Sequence, residues 1–112
     1  MATFTIARGD TAPALRYRVP TGITLTGSAV FNMPPVINRA PAQMVNGELQ
    51  YGWQAGDTDL TGLRRAEFEV TYLDGRIETF NRTEDGSPLA VHIEDDLDVA
   101  PEVIDQSGVV SW

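Results

Sequence analysis

The chain has 112 residues, no cysteine and a formal net charge of −8; that is one domain's worth, enough to bury roughly 65% of its unfolded surface, with no disulfide or thiolate chemistry, as suits a bacterial cytosol or any self-sufficient fold. No apolar run nears the ~18 residues of a membrane-spanning helix, and Met1 to Arg8 lack the charged and apolar regions of a signal peptide. All eight basic residues are arginines at or before Arg82, matched there by eight acids, so the net charge sits in residues 83–112, which hold eight acids and no base; that sign is opposite to a nucleic-acid-binding surface and reads as a solvated tail or a strap across an arginine-bearing neighbour.

Thr3-Phe4-Thr5-Ile6 alternates and predicts a short first strand, which Arg8-Gly9-Asp10-Thr11 breaks. Leu15, Tyr17 and Val19 alternate with Arg16 and Arg18 between Pro13 and Pro20, a pattern suited to an edge strand. Ile23 and Leu25 are placed to plug the core from a loop. Ser28 to Met33 is the next strand, with Ala29, Phe31 and Met33 on one face. Three prolines in residues 34–42 remove ladder donors, and the stretch reads as an exposed loop.

Asn46-Gly47 stands between alternating runs, a strong hairpin signal. Leu49, Tyr51 and Trp53 then face the core. Residues 56–62 form a polar connection whose Asp and Thr side chains can satisfy local backbone donors, with room for one helical turn. Ala66 to Tyr72 alternates strictly, with Phe68, Val70 and Tyr72 on one face and Glu67, Glu69 and Thr71 on the other. Asp74-Gly75 follows and predicts a two-residue turn with Tyr72 opposite Ile77 and Val70 opposite Thr79. Asn81 to Pro88 is a polar loop. Leu89, Val91 and Ile93 mark the last strand, and the domain closes at Asp98, leaving residues 99–112 as an acidic tail.

The sum is an all-β chain, an antiparallel β-sandwich of about seven or eight strands over residues 1–98 with an extended C-terminal tail over 99–112. The predicted core is Phe31, Leu49, Tyr51, Trp53, Phe68, Val70, Tyr72, Ile77, Leu89, Val91 and Ile93.

Chemistry is sparse in this pattern. There is no Cys or Lys, and His92, the single histidine, alternates with apolar positions and points outward. No nucleophile elbow or phosphate loop occurs. Asp57 with Asp59, and the run Glu94 to Asp98, carry enough oxygen for a cation but lack the spacing of a calcium loop. Glu67 and Glu69 lie at i, i+2 on one face, within reach of an arginine, which favours cross-strand ion pairs over a glycosidase pair. Arg8-Gly9-Asp10 spells an adhesion tripeptide but opens a turn, and Asn81-Arg82-Thr83 has the form of a glycosylation sequon. No catalytic residue, cofactor or metal is expected.

Three stretches together resemble a known family: Arg8-Gly9-Asp10-Thr11-Ala12-Pro13 with Leu15, the run Leu25 to Met33, and Trp53 through Phe80. They are similar to the N-terminal domain of tailed-phage baseplate upper proteins and related small virion proteins, over roughly residues 5–98. The resemblance implies an immunoglobulin-like sandwich. It also implies a structural role: a homo-oligomeric ring that attaches a receptor-binding fibre or spike to a phage or phage-like gene transfer particle. The site is a baseplate or tail tip, or a spike base at a capsid vertex. The partners implied are other virion proteins, with no nucleic acid and no membrane, in a virion made in the host cytoplasm. Family members continue into a fibre-bearing region whereas this sequence runs to Trp112, which suggests an adaptor for a separate fibre protein. Leu63 stands where the family has an aromatic, a small core change.

The competing reading is a soluble carbohydrate-binding sandwich, which needs exposed aromatic side chains. In the tail, Asp98, Glu102 and Asp105 are expected near basic groups of a neighbour, and Val109, Val110 and Trp112 in its apolar pocket, because an exposed terminal Trp is a natural anchor. The tail is expected to be loosely packed in isolation and ordered in the assembly.

Overall fold

The structure is a computed structural model that describes residues 3–95 and the backbone of 109–111. Ten strands run in chain order: β1 (Thr3–Ala7), β2 (Leu15–Arg18), β3 (Ser28–Met33), β4 (Ile37–Val45), β5 (Glu48–Tyr51), β6 (Gly62–Arg65), β7 (Glu67–Thr71), β8 (Ile77–Phe80), β9 (Ala90–Glu94) and β10 (Val109–Ser111). They form a three-stranded sheet, β1-β9-β6, and a seven-stranded sheet, β10-β2-β5-β4-β3-β7-β8. The fold is all-β and sandwich-like, with no helix among the described residues.

One core joins the two sheets. Phe4 and Ile6 of β1 and Val91 and Ile93 of β9 share a cluster with Tyr17, Phe31, Leu49, Phe68 and Val70 of the large sheet. Aromatic rings dominate its middle: Phe31 stacks on Tyr51 at 4.6 Å and Phe4 on Trp53 at 5.8 Å between centroids. Ile23 and Leu25 pack against the cluster from their loop, as expected. Full burial of each such side chain contributes about 1.5–3 kcal/mol before entropy is counted.

Pairing departs from an all-antiparallel sandwich at two places. β1 runs parallel to β9, with Phe4 beside Val91, and β10 runs parallel to β2, with Val110 beside Tyr17. β6 and β7 are one extended run that changes sheets: Arg64 pairs with Val91 of the small sheet and Phe68 with Phe31 of the large one. Between them the Ala66 amide donates to the Leu89 carbonyl at 3.1 Å.

The Asn46-Gly47 hairpin has the expected two-residue loop. Both residues have positive φ, 51° and 79°, and Val45 pairs directly with Glu48. The hairpin after Tyr72 does not. The Gly75 amide donates to Tyr72 and the Tyr72 amide to Arg76, so the loop is the three residues Leu73-Asp74-Gly75, with Gly75 at φ 90°. Thr71 therefore pairs with Ile77, and Phe68 with Phe80. Side chains alternate, so a one-residue shift exchanges the faces. Phe80 enters the core at 5% exposure and Ile77 leaves it at 64%. Ile77 is thus not a core residue, while the other ten predicted positions are buried.

The expected loop at 34–42 is mostly strand. β4 starts at Ile37, which is buried, and pairs with β3 through Ala42, with a bulge at Arg39, whose φ is 56°. β5 pairs with β4 only from Gln43 onward. The side of β4 away from β3 is therefore a free edge around Pro41, where a missing donor is tolerated. Residues 62–65 are a further strand that begins at the last residue of the expected connection, and Leu63 is 66% exposed, not a core position.

Candidate assembly surface

The edge of the large sheet is built on β2. Leu15 and Tyr17 are fully buried, so alternation turns Arg16 and Arg18 to the outer face. β5 lies beside them antiparallel, with Arg16 opposite Gln50 and Arg18 opposite Glu48. On that face Glu48 is 6% exposed yet charged groups surround it. Arg16 holds it with two hydrogen bonds, Nε to Oε1 at 3.0 Å and Nη2 to Oε2 at 3.3 Å. Gln50 Nε2 donates to Oε1 at 3.1 Å, and Arg18 Nη2 lies 3.6 Å from Oε2. Desolvation acts to raise the Glu48 carboxyl, but the Arg16 and Gln50 hydrogen bonds and the two arginine charges outweigh it and hold the group below its ordinary value.

Along the free side of β2 lies β10, with Val109 beside Arg16 and Ser111 beside Arg18. β10 also contacts β1, the edge of the small sheet. It therefore pairs with the edge of the large sheet and lies near β1 without joining the small one. Of the tail residues proposed as contacts, Val109 and Val110 lie in this strand, while Asp98, Glu102, Asp105 and Trp112 lie outside the described residues.

A second exposed feature lies at the tip of the β7–β8 hairpin. Leu73 is 83% exposed, and Ile77 follows on the outer face of β8. Side-chain contacts link the residues around the tip. Tyr72 is buried, its hydroxyl donates to Glu78 at 2.6 Å, and the Arg76 guanidinium lies 5.0 Å from its ring centre. Arg76 Nε in turn donates to Asp74 at 2.7 Å.

The other residues with chemical interest are engaged in local structure. Asp57 accepts hydrogen bonds from the Tyr51 hydroxyl at 2.6 Å and the Gln54 amide at 2.8 Å, so it caps a turn. Gly-Asp-Thr occurs at residues 9–11 and 56–58, and the two meet in space: the Gly9 amide donates to the Thr58 carbonyl at 3.1 Å, and Thr58 Oγ1 donates to the Asp10 carbonyl at 2.8 Å. That contact ties the Arg8-Gly9-Asp10 turn to the 56–59 loop. Glu69 pairs with Arg39 at 3.0 Å, and Glu67 accepts from Asn32 at 3.4 Å. The arginine predicted for these glutamates is found for Glu69 alone, as Arg39, while Arg76 is turned toward Asp74 and Glu67 has Asn32 instead. Thr83 is buried and donates to Asp85. His92 is half exposed, 3.6 Å from Glu94. Among the described residues no three His, Cys, Asp or Glu side chains are placed to hold a metal ion.

The Glu48 cluster and the strand β10 were the features the sequence reading missed. The cluster had a signal: two outward arginines on one strand demand acids on the next. Its position depended on the β2–β5 pairing, which no local pattern specifies. The chain was compared with protein-family models, with curated proteins and with solved structures, and none of the three comparisons finds a match.

Proposed function

We propose that this chain is a structural virion protein of a tailed phage or phage-like gene transfer particle. In this reading it is an immunoglobulin-like adaptor that stands in a symmetric ring and attaches a receptor-binding fibre or spike. The observation that supports it is the β7–β8 tip, which presents Leu73 and Ile77 to solvent on a hairpin where Tyr72 bonds Glu78 and Arg76 bonds Asp74. Exposed apolar side chains that adjoin one another are the material of contact surfaces. The hairpin also belongs to Trp53–Phe80, the stretch that carries most of the resemblance to baseplate proteins. The tip would take the docked fibre or spike protein, and the edge at β2 would face a neighbouring subunit.

A carbohydrate-binding sandwich stacks sugar rings on exposed aromatic side chains. Here every described Phe, Tyr and Trp is buried, Tyr72 being the most exposed at 8%. That observation weighs against the alternative.

The test is a pull-down of neighbouring virion gene products with the purified chain, followed by reconstruction of the particle. The Leu73→Ser, Ile77→Ser double variant should keep its melting temperature within a few degrees, as surface substitutions do. It should lose capture of the fibre or spike protein. Undiminished capture would remove the tip from the interface, and failure to find the chain on any particle would reject the virion reading.

A further inference from the structure

We propose that the open edge of β6 is a docking site for an extended acidic segment of a partner protein, which adds to the three-stranded sheet as a further strand. The surface lies on the small sheet, apart from the β7–β8 tip, and the proposal does not rest on the virion reading.

The backbone defines the edge. β6 is the last strand of the β1-β9-β6 sheet, so one of its sides meets no other strand among the described residues. The Ala66 amide bonds the Leu89 carbonyl at 3.1 Å, and the same register sets Arg64 opposite Val91. Hydrogen-bonded and non-hydrogen-bonded pairs alternate along an antiparallel ladder. Arg64 therefore turns its amide and carbonyl toward β9, and Leu63 and Arg65 turn theirs to the open side. Such a row of free donors and acceptors is the template to which a further strand pairs.

The side chains select which strand fits. Leu63 is 66% exposed on the outer face, and Leu60, just ahead of β6, is 53% exposed. Arg65 is exposed on the same outer face, while Arg64 shares the inner face with the buried Val91. The chain has sixteen acids, yet neither arginine forms an ion pair among the described residues. Arg64 Nη2 donates to the Thr61 carbonyl at 3.1 Å, and its Nε is buried with no partner. A buried donor left without an acceptor is destabilising, and an incoming carboxylate relieves that with a charged hydrogen bond. An added strand sets one residue opposite each of Leu63, Arg64 and Arg65. The complementary segment is therefore apolar opposite Leu63 and acidic opposite both arginines. The same edge turns away a second β6, because self-pairing centred on Arg64 sets like charges against each other.

The test titrates the isotope-labelled full chain with two capped peptides about seven residues long, the length of an ordinary strand. One carries two adjacent glutamates followed by valine in a threonine frame, and the other has lysines in place of the glutamates. Binding is followed by backbone amide shifts and hydrogen exchange. The acidic peptide should shift the amides of β6 and bind about tenfold tighter or more, the swing expected when two partly exposed ion pairs replace two repulsions. Exchange should slow at Leu63 and Arg65 but not at Arg64, whose amide already faces β9. Arg65→Gln should weaken binding by about threefold, the loss of one partly exposed ion pair, while its melting temperature stays within a few degrees, as for other surface substitutions. Binding of neither peptide, equal affinity for both, or protection without this alternation would overturn the proposal. Protection of Leu63 and Arg65 that rises with protein concentration alone would assign the edge to a second copy and equally refute it. The measurement needs no particle, so its failure leaves the adaptor reading standing, and failure of the particle test leaves this site standing.

Discussion

Glu48 shows how much one buried carboxylate depends on its neighbours. Its side chain is 8% exposed, while Arg16 and Arg18 remain 40% and 60% exposed. Removing the acid leaves two arginines that water can reach, so Glu48→Gln should cost about 1–2 kcal/mol, the range for a charged hydrogen bond lost without a fully stranded partner. The pH dependence has a definite sign. The folded carboxyl sits below its ordinary value of 4.5, so its stabilisation is present above that pH and disappears as pH falls through the folded value. Urea titrations at pH 7 and pH 3 should show the gap between wild type and Glu48→Gln shrinking at the lower pH. A gap that grows on acidification would contradict this assignment.

The three tyrosines work in the opposite direction. Burial, then the Glu78 charge, pushes Tyr17 up to about 12. Burial with the Glu78 hydrogen bond and charge raises Tyr72 to about 12, against a small opposing pull from Arg76. Burial and Asp57 raise Tyr51 as well. A raised folded value means stability that is complete below the ordinary value of 10.0 and lost as pH climbs toward 12. Phenolate absorbance should therefore lag behind that of free tyrosine and rise together with loss of β-structure. Titration of two or three tyrosines near pH 10 in the folded protein would show that these hydroxyls are not desolvated.

At the scale of elements, the β7–β8 hairpin gives the sharpest test. The three-residue loop places Phe80 inside and Ile77 outside. Phe80→Ala should cost about 3–5 kcal/mol, whereas Ile77→Thr should stay within about 0.5 kcal/mol. The two-residue turn read from Asp74-Gly75 predicts the reverse, so one denaturation series decides between the registers. Glycines separate in the same way. Gly27 sits at φ 80°, and a Cβ there would stand 1.9 Å from the Thr71 carbonyl oxygen, while Gly75 at φ 90° meets nothing within 4 Å. Gly27→Ala should destabilise clearly more than Gly75→Ala, which carries only the backbone strain of about 1–2 kcal/mol. Alternation made most strands legible in the sequence, because a half-buried strand writes its burial into every second residue. Phe31, Leu49, Phe68, Val70 and Val91 followed from it directly. What failed were connections. An Asp-Gly pair fits both a two-residue turn and the end of a three-residue one, and the choice lies in backbone hydrogen bonds that the sequence does not display. Pro41 hid a strand because whether a missing donor matters depends on which neighbour the strand has. β6 was missed because its inward positions hold Gly62 and Arg64 rather than apolar residues, as suits a protected edge.

For the molecule as a whole, long-range pairing and charge distribution carry what local pattern could not. The parallel β1–β9 and β2–β10 ladders join distant parts of the chain, and neither leaves a local signature. The proposed assembly surface is legible only as an imbalance: arginines early, acids late, and apolar residues near Trp112. β10 gives that imbalance a location, since it comes to rest beside Arg16 and Arg18. The thermodynamic weight of that strand is small. A three-residue ladder gains a few net backbone hydrogen bonds of about 0.5–1.5 kcal/mol each, and ordering the residues costs about 1–2 kcal/mol apiece, so the two nearly cancel. Deleting residues 100–112 should shift the melting temperature by less than about 4 °C, the equivalent of roughly 1 kcal/mol for a domain of this size. Hydrogen exchange should tell a local story at the same time. Amides of β2 should lose protection in the truncated chain, while those of β3 and β7, flanked on both sides within the large sheet, should keep theirs. A large fall in melting temperature with protection lost throughout would make β10 an integral part of the domain and give its ladder a greater weight than this.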